Sequence, residues 1–461
     1  MTQTITEPAR QTPVTGRYDI VVVGGGTAGC VAAMAAARRG MRTMLVEQFG
    51  FLGGTQTGAL VAPLCPNYHP DGTPLTRGIG QEIWNRLAAR GAAQGTNDGR
   101  YPPHGDWPWF DPEALKFLLD EMVTEAGADL LLHAVFAAPL LEANTVRGVV
   151  VETKSGREAL LARVVVDATG DADVAYRSGV PCESGRSSDG LNQPASLRFH
   201  LGNVDWERTA AFLRENGLPH RRFPSVSYAA GDGAKDLAGF FQRCVAEDRV
   251  DAETIRYFQF FAVQGRPGEV SFNCPEIRGC EGTDSRSLSR MQVEGRRMIA
   301  RLTDFCRANL PGFERAYVVA VAPMVGVRSS RRIRGEYLLT LGDVLNGARF
   351  PDAVARNNWP PDIHSPKQGE GLALEQTSFP GEYVEIPYRC LVPETIDNLL
   401  VAGRCISATF EAQAAIRIAR TCQALGQAAG TAAALAVKTG KTPRALDGTA
   451  VRRALEADGL F

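Results

Sequence analysis

One stretch constrains this chain more than any other. Residues 18–47 read YDIVVVGGGTAGCVAAMAAARRGMRTMLVE. An apolar run from Ile20 to Val23 enters a glycine turn. An alanine-rich segment from Ala28 to Arg39 follows, then Gly40, then a second apolar run, Met44 to Val46, ending in Glu47. The pattern predicts a strand, a helix and a strand, the first βαβ unit of a dinucleotide-binding sheet. Gly24 permits the tight turn out of the strand. Gly26 has no Cβ, so the backbone can approach a pyrophosphate, and Gly29 lets the helix pack closely on the strand. The helix start presents unpaired N–H groups and a positive dipole end to phosphate. Glu47 follows Gly24 by about 20 residues, the spacing at which an acid reaches a ribose.

The chain has 461 residues, enough for two or three domains, and at 44% hydrophobic and 22% charged it can bury a large core. A net charge of -1 with no block of like charge argues against a nucleic-acid partner. None of the ten cysteines forms a C-x-x-C pair, and no histidine lies near them at zinc-finger spacing, so no metal site is expected. We read most of them as small buried hydrophobes of a reducing compartment, and the protein as cytoplasmic; a redox disulfide between Cys274 and Cys280 is the alternative. Residues 1–16 are polar and lack the apolar core of a signal peptide, which predicts a disordered lead-in. Ala412 to Val437 is apolar but carries Arg417 and Arg420, so it reads as an interior helix and no membrane span is expected.

Beyond Glu47, a loop containing Gln48, Gly50, Gly53, Gly54, Thr55 and Thr57 follows the second strand at its carboxyl end, where ligands of such sheets bind. Residues 62–109 form a loop-rich insertion with one helix from Ile79 to Arg90. His69 and His104 lie in it, as catalytic candidates or as solvated loop histidines. Asp111 and Pro112 open a helix that Gly127 ends. A strand over Leu130 to His133 and a hairpin, Val146–Thr153 with Ala159–Val166, run into Asp167-Ala168-Thr169-Gly170-Asp171, a second line of contacts to the dinucleotide. From Cys182 to about Gly381 the texture changes to longer, mixed segments. Strands at Ser196–Leu201 and Tyr317–Val321 and helices at Asp205–Glu215 and Ser285–Cys306 predict a separate α+β domain. Asn398 to Gly403 then returns to the first sheet. A helix from about Ile416 to Val437 follows, with Gly426 and Gly430 spaced for close packing.

Three separated segments, Gly24-x-Gly26-x-x-Gly29 with Glu47, Ala168-Thr169-Gly170-Asp171 and Leu400-Val401-Ala402-Gly403-Arg404, resemble the FAD-binding signatures of flavoproteins with the glutathione-reductase fold. Within that group the chain looks most like the FAD-dependent oxidoreductases related to the flavoprotein of succinate dehydrogenase and fumarate reductase. Arg328 to Tyr337, Asp362-Ile363-His364, Ile386-Pro387-Tyr388 and Gly426 to Gly430 extend the likeness. It implies an α/β fold: a Rossmann-like FAD-binding domain of glutathione-reductase type, residues 17–185 and 384–440, with an inserted α+β substrate domain at 186–383 and a C-terminal tail at 441–461. It also implies that Gly24, Gly26, Thr27, Ala28 and Gly29 hold the pyrophosphate. Glu47 and Gln48 would bind the adenosine ribose side, and Gly53, Gly54 and Thr55 would run along the cofactor. Ala168, Gly170 and Asp171 would approach the adenosine. Gly403 and Arg404 would lie by the ribityl chain, and the helix start at Ala415 and Ile416 would face the flavin. No second dinucleotide fingerprint and no C-x-x-x-x-C is present, so a nicotinamide domain is not expected. The FAD is expected to be non-covalent.

These residues point to hydride transfer from a small polar metabolite, oxidised at CH–OH, CH–NH or CH–CH, to FAD. The alternatives are a monooxygenase or reductase driven by NAD(P)H, or a non-catalytic or RNA-associated FAD-binding protein. The chemistry needs a base. His364 is the first candidate, with Tyr388, Glu385 and His69 behind it. Arg328, Arg331, Arg332 and Arg334 are dense enough to clamp an anionic substrate, Arg332 and Arg334 sharing a face of a strand, and Arg417 is a further anion-binding candidate; salt bridges to Glu336 and its neighbours are the competing reading. The electron acceptor is open, and a homo-oligomer is one possible state.

Overall fold

The structure, a computed structural model, describes residues 4–6, 8–65, 67–93, 109–218, 224–230, 235–263, 265–367, 372–374 and 382–461. Its first layer is a seven-stranded sheet. The strands are β1 (Val14–Val23), β2 (Thr43–Val46), β3 (Asp129–Leu131), β4 (Val135–Glu142), β5 (Thr145–Thr153), β6 (Gly156–Asp167) and a last one at Leu399–Val401. The order is β3-β2-β1-β6-β5-β4. β1 runs parallel to β2 and β6, while β5 and β4 fold back antiparallel. Leu399–Val401 pairs in parallel with Val165–Asp167, the carboxyl end of β6. Ile20 to Val23 are buried without alternation, as a parallel strand covered on both faces requires.

The helix Thr27–Arg38 packs on this sheet and along the long helix Ala419–Thr439, which also touches the sheet, and its residues from Ala28 to Ala37 are all buried. That explains an alanine-rich helix with no polar face: it has no solvent side over most of its length. The two helices meet backbone to backbone. A Cβ on Gly426 would sit 2.1 Å from the Ala28 carbonyl oxygen, and one on Gly430 would sit 2.2 Å from that of Ala32. The spacing of these glycines is thus explained by helix contact.

A second hydrophobic cluster is built on a five-stranded sheet, ordered Ser225–Ala229, Tyr257–Ala262, Val270–Phe272, Phe199–Gly202, Tyr317–Val321. Its neighbours are all antiparallel. The apolar face of helix Ser285–Asn309 joins the same cluster through Met298, Ile299, Leu302 and Phe305. Phenylalanines dominate it; Phe199 and Phe272 stack with centroids 4.4 Å apart.

Several sequence expectations are corrected here. The chain joins the sheet from Val14, where β1 pairs with Ala159, so the lead-in ends earlier than residue 16. β3 ends at Leu131, and His133 adopts a positive φ of 54° beyond it. The helix expected from Ile416 is two helices. Phe410–Ile416, capped by the Thr409 hydroxyl, ends at Arg417, and the long helix begins at Ala419. Residues 441–461 are no loose tail: the helix Gly448–Ala457 buries Val451 and Leu455 in the main core. All ten cysteines are free, eight of them buried. Asp111 caps its helix as read, accepting from the Glu113 and Ala114 N–H groups. Among the described residues no helix is long and apolar enough to cross a membrane, and no cluster of His, Cys, Asp and Glu is suited to a metal.

Replacing Gly430 by Val drives a branched side chain into the Ala32 carbonyl. We expect a loss of about 1–3 kcal/mol, the usual range for overpacking, read as a lowered thermal midpoint with loss of bound flavin. An unchanged midpoint would show that the helices separate freely.

Candidate active site

The dinucleotide end of the site is made by backbone. Gly24 leaves β1 with φ 98°, and a Cβ on Gly29 would sit 1.7 Å from the Gly24 carbonyl oxygen, so the turn closes only with glycine there. Gly26 forms a parallel bridge with Gly53, itself at φ 100°. A Cβ on Gly26 would find only the Gly54 Cα, at 3.8 Å, leaving room beside the first turn of the helix. Glu47 is buried and uses one oxygen on the Gly25 N–H (2.7 Å) and the other on the Phe49 N–H (2.8 Å). Burial raises its carboxyl, and these backbone bonds work the other way. Asp167 ends β6 and holds the next turn, accepting from the Thr169 N–H and hydroxyl and the Ala175 N–H. Burial pushes it up to about 6. Arg404 spans from the last strand, donating to the Gly170 carbonyl at 2.8 Å, the Val327 carbonyl at 2.9 Å and the Asp171 carboxylate at 2.5 Å.

These elements open onto a cavity of about 690 Å³. Gly26, Thr27, Ala28, Gln48, Gly54 and Thr55 line it from the first βαβ unit and the loop after β2. Ala168, Gly170 and Asp171 line it from the end of β6, and Gly403 and Arg404 from the turn after the last strand. Gly24, Gly29 and Gly53 shape the turns beside this surface, and Glu47 ties the Gly25 and Phe49 N–H groups together there. Ala415 and Ile416 are fully buried in the preceding helix, and the lining falls instead to Arg417, Ile418 and Ala419.

The two helix starts at the cavity, Gly26–Thr27 and Ile418–Ala419, have no side-chain cap, a trait shared with the helices starting at Gly78, Asp173 and Ala238, whereas Asp111, Asp205, Asp284, Thr340 and Thr409 each cap theirs. Their first N–H groups are left for a ligand. An extended, phosphate-bearing dinucleotide fits this surface: a glycine cradle without Cβ atoms, one uncapped N-terminus for its phosphates and a second further along.

The far end of the cavity is polar and buried. His364 lines it. Its Nδ1 makes a short contact with Glu276, and its Nε2 lies 3.3 Å from Asp362. Glu276 also meets Arg328 at 3.2 Å and Arg256 at 3.0 Å. Burial raises the Glu276 carboxyl, but His364, Arg328 and Arg256 outweigh burial and hold it at about 2. Asp362 is likewise held well below the usual carboxylate range against its burial, by His364 and by Arg417, which reaches it at 3.3 Å. The Tyr257 ring meets His364 edge-on, centroids 5.2 Å apart. Asn273 donates to the Tyr257 hydroxyl (3.1 Å) and to Gln259 (2.7 Å), and accepts from Arg198 (3.0 Å).

Other sequence candidates lie elsewhere. Tyr388 is buried in the main core and donates to the Pro443 carbonyl, and Glu385 accepts from the Phe350 N–H. His69 pairs with Glu382 at 2.6 Å, partly exposed and off the cavity. His104 lies outside the described residues. The arginine cluster is no clamp. Arg332 is buried and donates to the Ala408 and Gly185 carbonyls, Arg331 holds Asp173, and Arg334 is exposed near Glu394. Only Arg328 of the four lines the cavity. Sequence reasoning missed Ser196, Arg198, Tyr257, Asn273 and Glu276. The alternation S-L-R-F-H-L from Ser196 was the available signal, since it places polar groups opposite an apolar face.

The profile of the family described as FAD dependent oxidoreductase matches residues 19–455. A digeranylgeranylglycerophospholipid reductase 2 of Methanopyrus kandleri is 30% identical over 153 residues, 33% of this chain and 37% of that protein. A dihydrolipoyl dehydrogenase of Trypanosoma brucei brucei is 56% identical over 43 residues, 9% of each. The chain thus spans well under half the length of these curated relatives. Among solved structures, a geranylgeranyl bacteriochlorophyll reductase-like protein from Thermoplasma acidophilum aligns over 96% of this chain and 84% of its own, with TM-score 0.48 and 12% identity. L-proline dehydrogenase from P. horikoshii aligns over 96% and 99%, with TM-score 0.42 and 13% identity.

Two outcomes follow from this geometry. Gly29→Ala places a methyl where the Gly24 carbonyl stands, and the purified variant is expected to carry no flavin; a fully yellow variant would refute the reading of this turn. Glu276 has a depressed carboxyl, so its stabilisation is complete above its ordinary value of 4.5 and is lost as pH falls towards about 2. Glu276→Gln is therefore expected to lose about 3–5 kcal/mol at neutral pH, as when one member of a buried ion network is removed. The gap in thermal midpoint from wild type should narrow steadily in acid, and a gap independent of pH would contradict it.

Proposed function

The chain belongs to the FAD dependent oxidoreductase family, and we propose that within it this protein is a substrate-driven dehydrogenase or oxidase of a small polar metabolite. The bond oxidised is CH–OH, CH–NH or CH–CH. FAD, when bound, supplies the two-electron acceptor. The observation that carries the reading is a buried histidine facing the cavity with one nitrogen fixed by a buried carboxylate. Glu276 holds Nδ1, which sets the ring's orientation. Nε2 lies 3.3 Å from one oxygen of Asp362, whose other oxygen meets Arg417 at the same distance, 3.3 Å. In this reading Nε2, the nitrogen not held by Glu276, is the atom that exchanges a proton with substrate.

In this reading residues 17–185 and 384–440 hold the cofactor and 186–383 carry the substrate wall; the second hydrophobic cluster supports a separate unit over 195–327, while Ile333, Leu339, Val344, Val354 and Ala355 pack in the first. FAD is held without a covalent bond, since His69 is engaged by Glu382 away from the cradle. The motif resemblance to the succinate dehydrogenase and fumarate reductase flavoproteins, and the lack of a second dinucleotide fingerprint, support this reading over a nicotinamide-driven one.

The test is an anaerobic titration of the flavin's visible absorbance with NADH, NADPH and then a panel of amino acids, hydroxy acids and sugars. Bleaching by a panel member is expected, with none by nicotinamide. His364→Asn should keep its flavin and slow that bleaching by about 10²–10⁴-fold, the usual worth of a general base. Rapid bleaching by NADPH with no response to the panel would replace this reading with a nicotinamide-driven monooxygenase or reductase.

A further inference from the structure

Among the described residues the charged groups lining the cavity are paired, with one exception. Arg404 is matched by Asp171, Arg417 by Asp362 and Arg328 by Glu276. Arg198 has no acidic partner among the described residues. It is 3% exposed, and its single side-chain bond goes from Nη1 to the neutral Asn273 amide. Its Nε and Nη2 are buried and unpartnered. Those two nitrogens form one edge of the guanidinium, with parallel N–H groups that match the two oxygens of a carboxylate. The Ser196 hydroxyl, two residues earlier on the same side of the chain, is also buried, unpartnered and on the cavity wall.

An unmatched buried cation is costly, and buried donors are normally satisfied. Burial and the like charge of Arg328 push the Arg198 guanidinium down to about 10, the direction expected of a cation lacking a counter-charge. Asn273 orients Arg198 and bonds to Tyr257, whose ring packs on His364. The residue bearing this unpartnered edge and the proton-handling histidine therefore both line the cavity, joined through two intervening side chains.

We propose that Arg198 is the substrate's carboxylate receptor: its Nε and Nη2 take the two oxygens of a small carboxylic acid, with Ser196 donating to one of them. This rests on the dehydrogenase reading above and narrows its substrate to a carboxylate-bearing metabolite. The arginine cluster at 328–334 is released from that role.

The test is calorimetric titration of the flavin-loaded protein with acetate and benzoate, with acetamide and benzamide as neutral counterparts, and with inorganic phosphate. The carboxylates are expected to bind saturably and the amides at least tenfold more weakly. Arg198→Gln should weaken the carboxylates by about 10- to 100-fold, as loss of a charge-assisted pair does, and Arg198→Lys by less. Asn273→Asp gives Arg198 an internal carboxylate and should weaken the same probes without removing flavin, which keeps the test open if the Arg198 variants do not fold. Equal affinity of acids and amides, no saturable binding of either acid, unchanged affinity in the variants, or a preference for phosphate would each overturn the assignment. Carboxylate binding through Arg198 in a protein that no donor reduces would defeat the dehydrogenase reading alone. Reduction by a neutral donor with no carboxylate binding would defeat the receptor alone.

Discussion

The structure depends on a contact without side chains. Gly426 and Gly430 bring the long helix Ala419–Thr439 onto the carbonyls of Ala28 and Ala32, so it and the first helix of the sheet layer touch along their backbones. That approach fixes the two uncapped helix starts relative to each other. It also sets the turn after Leu399–Val401, from which Arg404 reaches Gly170 and Asp171. A dinucleotide needs contacts along its whole length, and one helix pair separated by less than a side chain gives that length a fixed frame.

At the opposite end the frame is electrostatic. Glu276 gathers His364, Arg328 and Arg256, and Asp362 gathers His364 and Arg417. In a poorly screened interior such a network is rigid, because moving any member exposes the others' charges. Its worth lies in placement. It holds one imidazole nitrogen and keeps the neighbouring cations occupied, leaving a short, defined set of groups for the substrate.

The sheet and its cradle were legible in the sequence because their determinants are local. A glycine turn, an alanine-rich helix and the acid at Glu47 lie within thirty or so positions, and each has a steric reason that survives any tertiary context. The hairpin before Asp167, the Asp111 cap and the return strand near Leu400 were legible for the same reason. The polar end was not. Glu276 and His364 are far apart in sequence and meet only through packing. The density of Arg328 to Arg334 suggested one function, yet the fold sends those four side chains to different places, Arg332 to the Ala408 and Gly185 carbonyls among them. The start at Ala419 was read early because Phe410–Ile416 and the long helix form one apolar run, and the break at Arg417 carries no glycine or proline.

The sheet is discontinuous: β6 accepts its last parallel neighbour from Leu399–Val401, over two hundred residues later in the chain. During synthesis the N-terminal strands therefore leave the ribosome with the carboxyl end of β6, Val165–Asp167, unpaired on one edge and the first helix uncovered. The aromatic cluster around Phe199, Phe258 and Phe272 draws almost entirely on residues between 195 and 327, so it has its components first. Domains form as their segments emerge. Cofactor capture is thus a closing step of biogenesis, and a shortage of riboflavin would leave a chain already folded in its middle and open at its beginning.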